Sequence, residues 1–140
     1  MSDIDYIGPL TERQQGHLPG HINLEWIEAR PGFLRGRFVA QLHHMAPNGF
    51  LHAGSVVTLA DSACGYGCVI SKPDAAIGFT TIELKTNFLG TAKIGETVVA
   101  EARLVHGGRM TQVWDAEVKN ENTGKAMALF RCTQMLLYPK

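Results

Sequence analysis

Residues 47–70, PNGFLHAGSVVTLADSACGYGCVI, constrain the fold of this chain more than any other stretch. The segment opens with turn-forming residues and continues from Ala53 in small and branched apolar residues without a proline. The apolar residues cover nearly every direction of a helical wheel, and a helix of that kind is buried. Asp61 lies in its middle, although a carboxylate is rarely buried unless it is paired or functional. We therefore predict a buried helix whose single acid needs an explanation.

Runs that alternate between apolar and polar residues flank this helix on both sides. Two runs precede it, at 22–27 and 33–38, and four follow it, at 79–89, 95–105, 110–119 and 125–137. Consecutive strands joined by short turns form an antiparallel sheet. The order predicts an α+β fold in which a curved antiparallel sheet of about six strands wraps one long central helix.

Simple alternation also assigns faces within the first strand after the helix. It places Ile82 and Leu84 on one face, and Thr81, Glu83 and Lys85 on the other, polar face.

Length and charge narrow the classes of protein to consider. The 140 residues suit one domain, residues 1–140, in which the glycine- and proline-rich residues 1–20 form a peripheral segment. The 13 basic and 13 acidic residues balance, so we expect no nucleic-acid partner. No unbroken apolar run reaches the ~18 residues of a membrane span, and the first ten residues lack a signal-peptide pattern. We expect no membrane partner.

Three cysteines make an odd count without the spacing of a zinc site. Free thiols in a reducing cytoplasm are the expected state. The three histidines His43, His44 and His52 also fail to predict a metal site. Neighbouring side chains in an extended segment point opposite ways, and no carboxylate or cysteine completes a ligand set.

Two segments resemble a known family. GFLHAGSVVTLADSACGYG resembles the His-Gly-Gly motif and following helix of hotdog-fold acyl-CoA thioesterases of the PaaI-like type, related to 4-hydroxybenzoyl-CoA thioesterase. TTIELKTNFLGTAKIGETVVAEARLVHGGR resembles the region of strands 3 and 4 in that family, and the likeness covers roughly residues 30 to 138. The resemblance implies the hotdog fold, in agreement with the architecture above. It also implies hydrolysis of an acyl-CoA, with coenzyme A as part of the substrate rather than a cofactor.

The resemblance assigns roles to individual residues. Asp61 matches the catalytic carboxylate, nine positions after the motif histidine His52, which we expect to shape the loop. Ala53 and Gly54 match the two glycines whose backbone N–H groups polarise the thioester carbonyl. The first N–H groups of a helix have no intrahelical partner and suit a developing oxyanion. Thr81 matches a hydroxyl residue that positions the attacking water or the carboxylate.

The chain departs from the family pattern at two positions. Ala53 replaces the first glycine, which keeps the N–H but restricts φ. Ala46 stands where many relatives have Asn or Gln, and Asn48 is the nearest amide that would substitute.

The turn around residues 106–109 corresponds to a loop that lies near the coenzyme A phosphates in the family. The candidates for contact with that part of the substrate are Lys85, Gly108, Arg109 and Thr111.

The sequence leaves open both the role of Asp61 in the mechanism and the function itself. Asp61 either attacks the carbonyl or activates water as a general base. Two other functions also stay open: a hotdog hydratase or dehydratase, which would pair a histidine with an acid, and a non-enzymatic acyl-CoA-binding module, which would keep the pocket and lose the acid.

Helix geometry predicts that two chains share each site. Ala53 and Asp61 are eight residues apart, which is ~12 Å along a helix at ~1.5 Å per residue. A donor to the carbonyl oxygen and a group acting on its carbon must both come within ~3 Å of one thioester. Two antiparallel helices meet this condition, so we predict a homodimer with two equivalent sites. The resemblance further implies a dimer of dimers, a homotetramer.

Overall fold

The computed structural model describes residues 4–140. In chain order its elements are α1 (Ile7–Arg13), α2 (Leu18–His21), β1 (Glu25–Arg30), β2 (Phe33–Val39), a 3-10 helix (Leu42–His44), α3 (Ala53–Ser71), β3 (Gly78–Phe88), β4 (Thr97–Gly107), β5 (Thr111–Asn120) and β6 (Ala126–Leu137). The strands form one sheet in the order β1-β2-β4-β5-β6-β3, with every neighbouring pair antiparallel. All six strands contact α3. The predicted α+β hotdog architecture is confirmed.

Small residues let α3 lie close to the sheet. A Cβ on Gly67 would be 2.5 Å from the Cη2 atom of Trp114, and one on Gly65 would be 2.9 Å from Cζ of Phe79. Both distances are too short for a real contact, so the two glycines admit the aromatic rings against the helix. By length and composition alone α3 is able to cross a membrane, although the chain has no unbroken apolar run of the ~18 residues that a span needs. Burial against the sheet accounts for its apolar character.

Charged side chains occupy the face of the sheet turned away from α3, which we call the outer face. Paired strands place them there in register: Glu83, Lys85, Glu101, Arg103, Asp115, Glu117, Lys119 and Arg131. Arg131 binds Asp115 through two contacts, of 2.5 and 2.8 Å. The inner face carries the apolar core.

A β-bulge in β3 corrects the predicted faces of that strand. Thr81 pairs with Gln134, but Glu83 pairs with Thr133, so Ile82 is an extra residue without a partner of its own. The register shift turns Thr81 toward α3, whereas Glu83 remains on the outer face. The prediction that Thr81 shares a face with Glu83 was wrong, because strict alternation does not hold across a bulge.

The N-terminal segment packs on the edge strand β1. Leu10 is buried, and the Gln14 side chain donates to the Leu24 carbonyl at 2.8 Å and accepts from Trp26 Nε1 at 2.9 Å. The segment predicted as peripheral, residues 1–20, therefore contributes a buried glutamine, Gln14, that binds the residues at the start of β1. Its first three residues lie outside the described part of the chain.

Candidate active site

The start of α3 presents one unpaired N–H group. His52 is the N-cap residue in an extended conformation, and its Nδ1 accepts the N–H of Gly54 at 2.7 Å. The N–H of Ser55 donates to the His52 carbonyl at 3.0 Å. Among residues 4–140, no hydrogen bond engages the N–H of Ala53. Of the two predicted donors, Ala53 is the one available to a ligand, and Gly54 is occupied by His52.

A buried histidine holds this helix start in place. His44 is fully buried; its Nδ1 accepts the N–H of Gln41 at 3.0 Å, so its Nε2 donates to the Ile22 carbonyl at 2.6 Å. Burial lowers the pKa of His44, which favours this neutral form. The His44 carbonyl in turn accepts from the Ser55 hydroxyl at 2.8 Å and from the His52 N–H at 3.0 Å. The donor end of α3 is therefore tied through His44 to the segments around Ile22 and Gln41.

Asn48 lies at an exposed turn before the helix. Its Oδ1 accepts the N–H of Phe50 at 3.1 Å, and Gly49 allows the turn through a positive φ of 88°. The Asn48 amide nitrogen makes no hydrogen bond within the described range. The side chain is therefore anchored through its oxygen, with its N–H groups available.

The structure brings Asp61 and Thr81 together. Asp61 is half-buried on α3, and the Thr81 hydroxyl oxygen lies 3.3 Å from its Oδ1. Burial raises the pKa of Asp61, and the contact with Thr81 acts in the opposite direction. A carboxyl group of this kind is poised to accept a proton more readily than an ordinary surface aspartate.

One residue of this cluster went unrecognised in the sequence. Gln134 on β6 is fully buried, and its Oε1 lies 2.8 Å from the Thr81 hydroxyl. The sequence did carry a signal for it. Gln134 lies between Cys132 and Leu136 on the apolar face of the last strand, and a buried amide needs hydrogen-bond partners.

The candidates for coenzyme A contact divide into two places. Gly108, Arg109 and Thr111 lie at the β4–β5 turn, where the Gly108 N–H donates to the Thr111 carbonyl at 2.9 Å. This turn lies at the end of the sheet that also carries Thr81. Gln134 pairs with Gln112 on one side and with Thr81 on the other, and Thr111 is the residue just before Gln112. Lys85 lies on the outer face, paired with Arg131, and does not join them.

The fold and these groups define a class of protein. A sheet wraps one helix, an unpaired N–H lies at the start of that helix, and a half-buried carboxyl beside a hydroxyl lies two turns further on. The fold and the position of these groups agree with the class that the sequence predicts, a hotdog thioesterase.

Comparison with known proteins agrees with that class. The family described as the thioesterase superfamily matches residues 48–127, and the chain belongs to it. The 1,4-dihydroxy-2-naphthoyl-CoA hydrolase of Listeria monocytogenes is 35% identical over 105 residues, covering 71% of this chain and 81% of that protein. The acyl-coenzyme A thioesterase PaaI of Escherichia coli is 36% identical over 80 residues, or 57% of this chain and 54% of that protein.

A solved structure matches almost the whole fold. The crystal structure of a mutant of the thioesterase PA1618 from Pseudomonas aeruginosa superposes with a TM-score of 0.89. The match covers 99% of this chain and 97% of that one, at 23% sequence identity. The family match and the PaaI relative, together with this shared fold, confirm the resemblance to PaaI-like hotdog thioesterases.

Proposed function

We propose that this protein is an acyl-CoA thioesterase in which Asp61 is the reacting carboxylate and the N–H of Ala53 polarises the thioester carbonyl. The observation that carries the proposal is the half-buried Asp61 carboxyl beside the Thr81 hydroxyl, in a chain of the thioesterase superfamily. Two relatives named as hydrolases of CoA thioesters support the substrate class. The overall reaction consumes water and releases a free acid and the thiol of coenzyme A.

The chemistry needs one donor and one base or nucleophile. The carbonyl oxygen accepts from the Ala53 N–H, and the helix dipole favours the negative charge that develops there. Either Asp61 takes a proton from an attacking water, or its oxygen attacks the carbonyl carbon and forms an anhydride that water then cleaves. In both routes the carbon–sulfur bond breaks, and the departing thiolate takes up a proton.

The proposed active unit is a homodimer that shares its two sites, and the family likeness extends this to a dimer of dimers. The free thiols of Cys64, Cys68 and Cys132 support a location in the reducing cytoplasm. The ~12 Å between Ala53 and Asp61 along α3 supports two chains per site. The edge strand β3 supports the same view, because the side chains of Ile82, Leu84 and Phe88 are exposed there. Such a strand edge suits a second copy of the chain.

The direct test compares wild-type protein with Asp61→Asn on a panel of aromatic and aliphatic acyl-CoAs. We expect thiol release by the wild type and a loss of roughly 10²–10⁴-fold in kcat in the variant, because a catalytic proton acceptor is removed. A folded Asp61→Asn protein with full activity would contradict the assignment. Hydration of an enoyl-CoA that leaves the thioester intact would instead identify a hydratase, and binding without turnover would identify a binding module.

The shared site is tested by mixing two inactive chains. Ala53→Pro removes the unpaired N–H, and the fold tolerates it in principle because proline suits the first helical position and His52 is already extended. Ala53→Gly, which keeps the N–H, is the matched control. Mixing Ala53→Pro with Asp61→Asn should restore about a quarter of wild-type activity, because half of the dimers then hold one intact site. Demonstrated subunit exchange without recovery would exclude a shared site.

A further inference from the structure

Two glutamines form a matched pair beside the site. Gln112 on β5 and Gln134 on β6 pair directly across the sheet, and both are buried. Gln112 accepts from Trp114 Nε1 at 2.8 Å and donates to the Ser71 carbonyl at 3.3 Å. Its contacts hold the sheet to the end of α3. Gln134 has different partners, and they lead to Asp61.

The Gln134 amide has a defined direction. Its Nε2 donates to Cys132 Sγ at 3.3 Å, which leaves Oε1 facing the Thr81 hydroxyl at 2.8 Å. An amide oxygen only accepts hydrogen bonds, so the hydroxyl must be the donor in this contact.

The Thr81 hydroxyl has one proton and two neighbouring acceptors. Its oxygen is 2.8 Å from Gln134 and 3.3 Å from Asp61 Oδ1. Hydrogen bonds between oxygens have lengths of about 2.5–3.0 Å, so the first contact holds the proton and the second is longer than a normal bond. The lone pairs of Thr81, rather than its proton, therefore face the carboxyl group of Asp61.

We propose that Gln134 is a positioning residue, which binds the hydroxyl proton of Thr81 and so makes Thr81 a hydrogen-bond acceptor toward Asp61 or the attacking water. The proposal rests on the proposed function, in which Asp61 is the reacting carboxylate. A proton carried by Asp61, or by a water bound to it, then has an acceptor on β3. A hydrogen bond donated by Thr81 would lower the pKa of Asp61. With the hydroxyl proton on Gln134 that donation is withdrawn, which keeps Asp61 basic.

The surroundings of Asp61 leave this hydroxyl as the main adjustable contact. Among residues 4–140, the other titratable groups on this side of the sheet are His44, Tyr66 and three buried thiols, Cys64 and Cys68 on α3 and Cys132 on β6. Burial raises the pKa of Cys64 well above its usual value and that of Cys68 to about 12. The charged side chains of the strands packed against α3 lie on the outer face, where the sheet separates them from the carboxyl: Glu25, Glu28, Arg30, Arg35, Arg37, Glu83, Lys85, Glu101, Arg103, Asp115, Glu117, Lys119 and Arg131.

The test replaces each glutamine by methionine, which keeps the side-chain length and removes the amide. In Gln134→Met the Thr81 proton is free to bond the Asp61 carboxylate, so the titration of Asp61 should move to lower pH and kcat should fall by about tenfold. Gln112→Met should leave the Asp61 titration in place, although it removes an equally buried amide. The titration is followed by carbon-13 NMR of labelled aspartate, with Asp61→Asn to assign the signal.

Thr81→Val provides a second measurement that does not depend on the folding of Gln134→Met. If Gln134 holds the proton, removing the hydroxyl takes no hydrogen bond from the carboxylate, and the Asp61 midpoint should not rise. A clear rise in Thr81→Val would show that Thr81 donates to Asp61 and would overturn the proposal. An unchanged midpoint in folded Gln134→Met would overturn it as well.

The NMR readout separates this proposal from the proposed function. A chain that hydrolyses no acyl-CoA would refute the thioesterase assignment while the Asp61 titration still reports on Gln134. Conversely, an active enzyme in which both variants contradict the expected midpoints would refute only the role of Gln134.

Discussion

The two edges of the sheet are built in opposite ways. At the β1 edge, α1 packs against the strand and Trp26 of the strand is buried, and the charged residues Glu28 and Arg30 form an ion pair. At the β3 edge the exposed fractions of Ile82, Leu84 and Phe88 are 54%, 43% and 47%. Charges and covering elements protect a strand edge from pairing, whereas exposed apolar side chains favour it. In the proposed homodimer, β3 is therefore the edge that meets the second chain, and β1 ends the sheet.

The same edge strand carries the candidate chemistry. Thr81 lies on β3 one residue before Ile82, the extra residue of the bulge. The bulge turns the Thr81 hydroxyl toward Asp61, and the neighbouring side chain of Ile82 is exposed. We infer that association and catalysis depend on one strand, so changes at this edge should affect both.

The two edges should differ most in how dimer formation and activity respond to a charge introduced on the edge strand. We expect Leu84→Asp to dissociate the dimer and to lower kcat/KM at least about 100-fold, because each site loses the donor from the partner. Ile27→Asp makes the same kind of change on β1 and should leave the dimer and most activity intact. Sedimentation velocity, circular dichroism and turnover are measured together. A folded Leu84→Asp protein that remains dimeric and active would remove the proposed distinction.

A smaller effect should distinguish two threonines on β3. Thr81→Val removes the hydroxyl beside Asp61, and we expect a loss of about tenfold in kcat with little change in thermal stability. Thr86→Val is the matched control, because the buried Thr86 hydroxyl has no hydrogen-bond partner in the part of the chain described here. Equal kcat values for the two variants would place Thr81 outside the reaction centre.

The smallest effect concerns stability and pH. The pKa of Asp61 is raised by burial above its ordinary value of 3.8, so the folded state binds a proton more tightly than the unfolded chain. As pH rises from 3.8 through the folded-state pKa, wild-type protein should therefore lose stability relative to Asp61→Asn. Melting temperatures of both proteins between pH 3.5 and about pH 7 measure the difference. If Asp61→Asn is the less stable at neutral pH, Asp61 has a structural role that burial alone does not explain.

Sequence patterns predicted the architecture well because they depend on local chemistry. The apolar surface of residues 53–71 and the six alternating runs were sufficient for a helix wrapped by an antiparallel sheet. Alternation failed at Thr81, since an extra residue in a strand becomes visible only when its partner strand is known. The sequence likewise did not indicate that the Gly54 N–H is taken by His52, because a cap depends on the rotamer of the side chain.

The sequence by itself determined that a carboxylate would lie on the central helix and that a hydroxyl would lie on the strand after it. Only the tertiary structure decided which atoms meet. β3 pairs with β6, the last strand, and this pairing sets Gln134 beside Thr81, 53 residues apart in the chain. In the proposed arrangement, the difference between 2.8 and 3.3 Å decides which acceptor holds the hydroxyl proton. Such tenths of an ångström are set by strand register and the bulge, which arise from packing of the whole sheet rather than from local propensity.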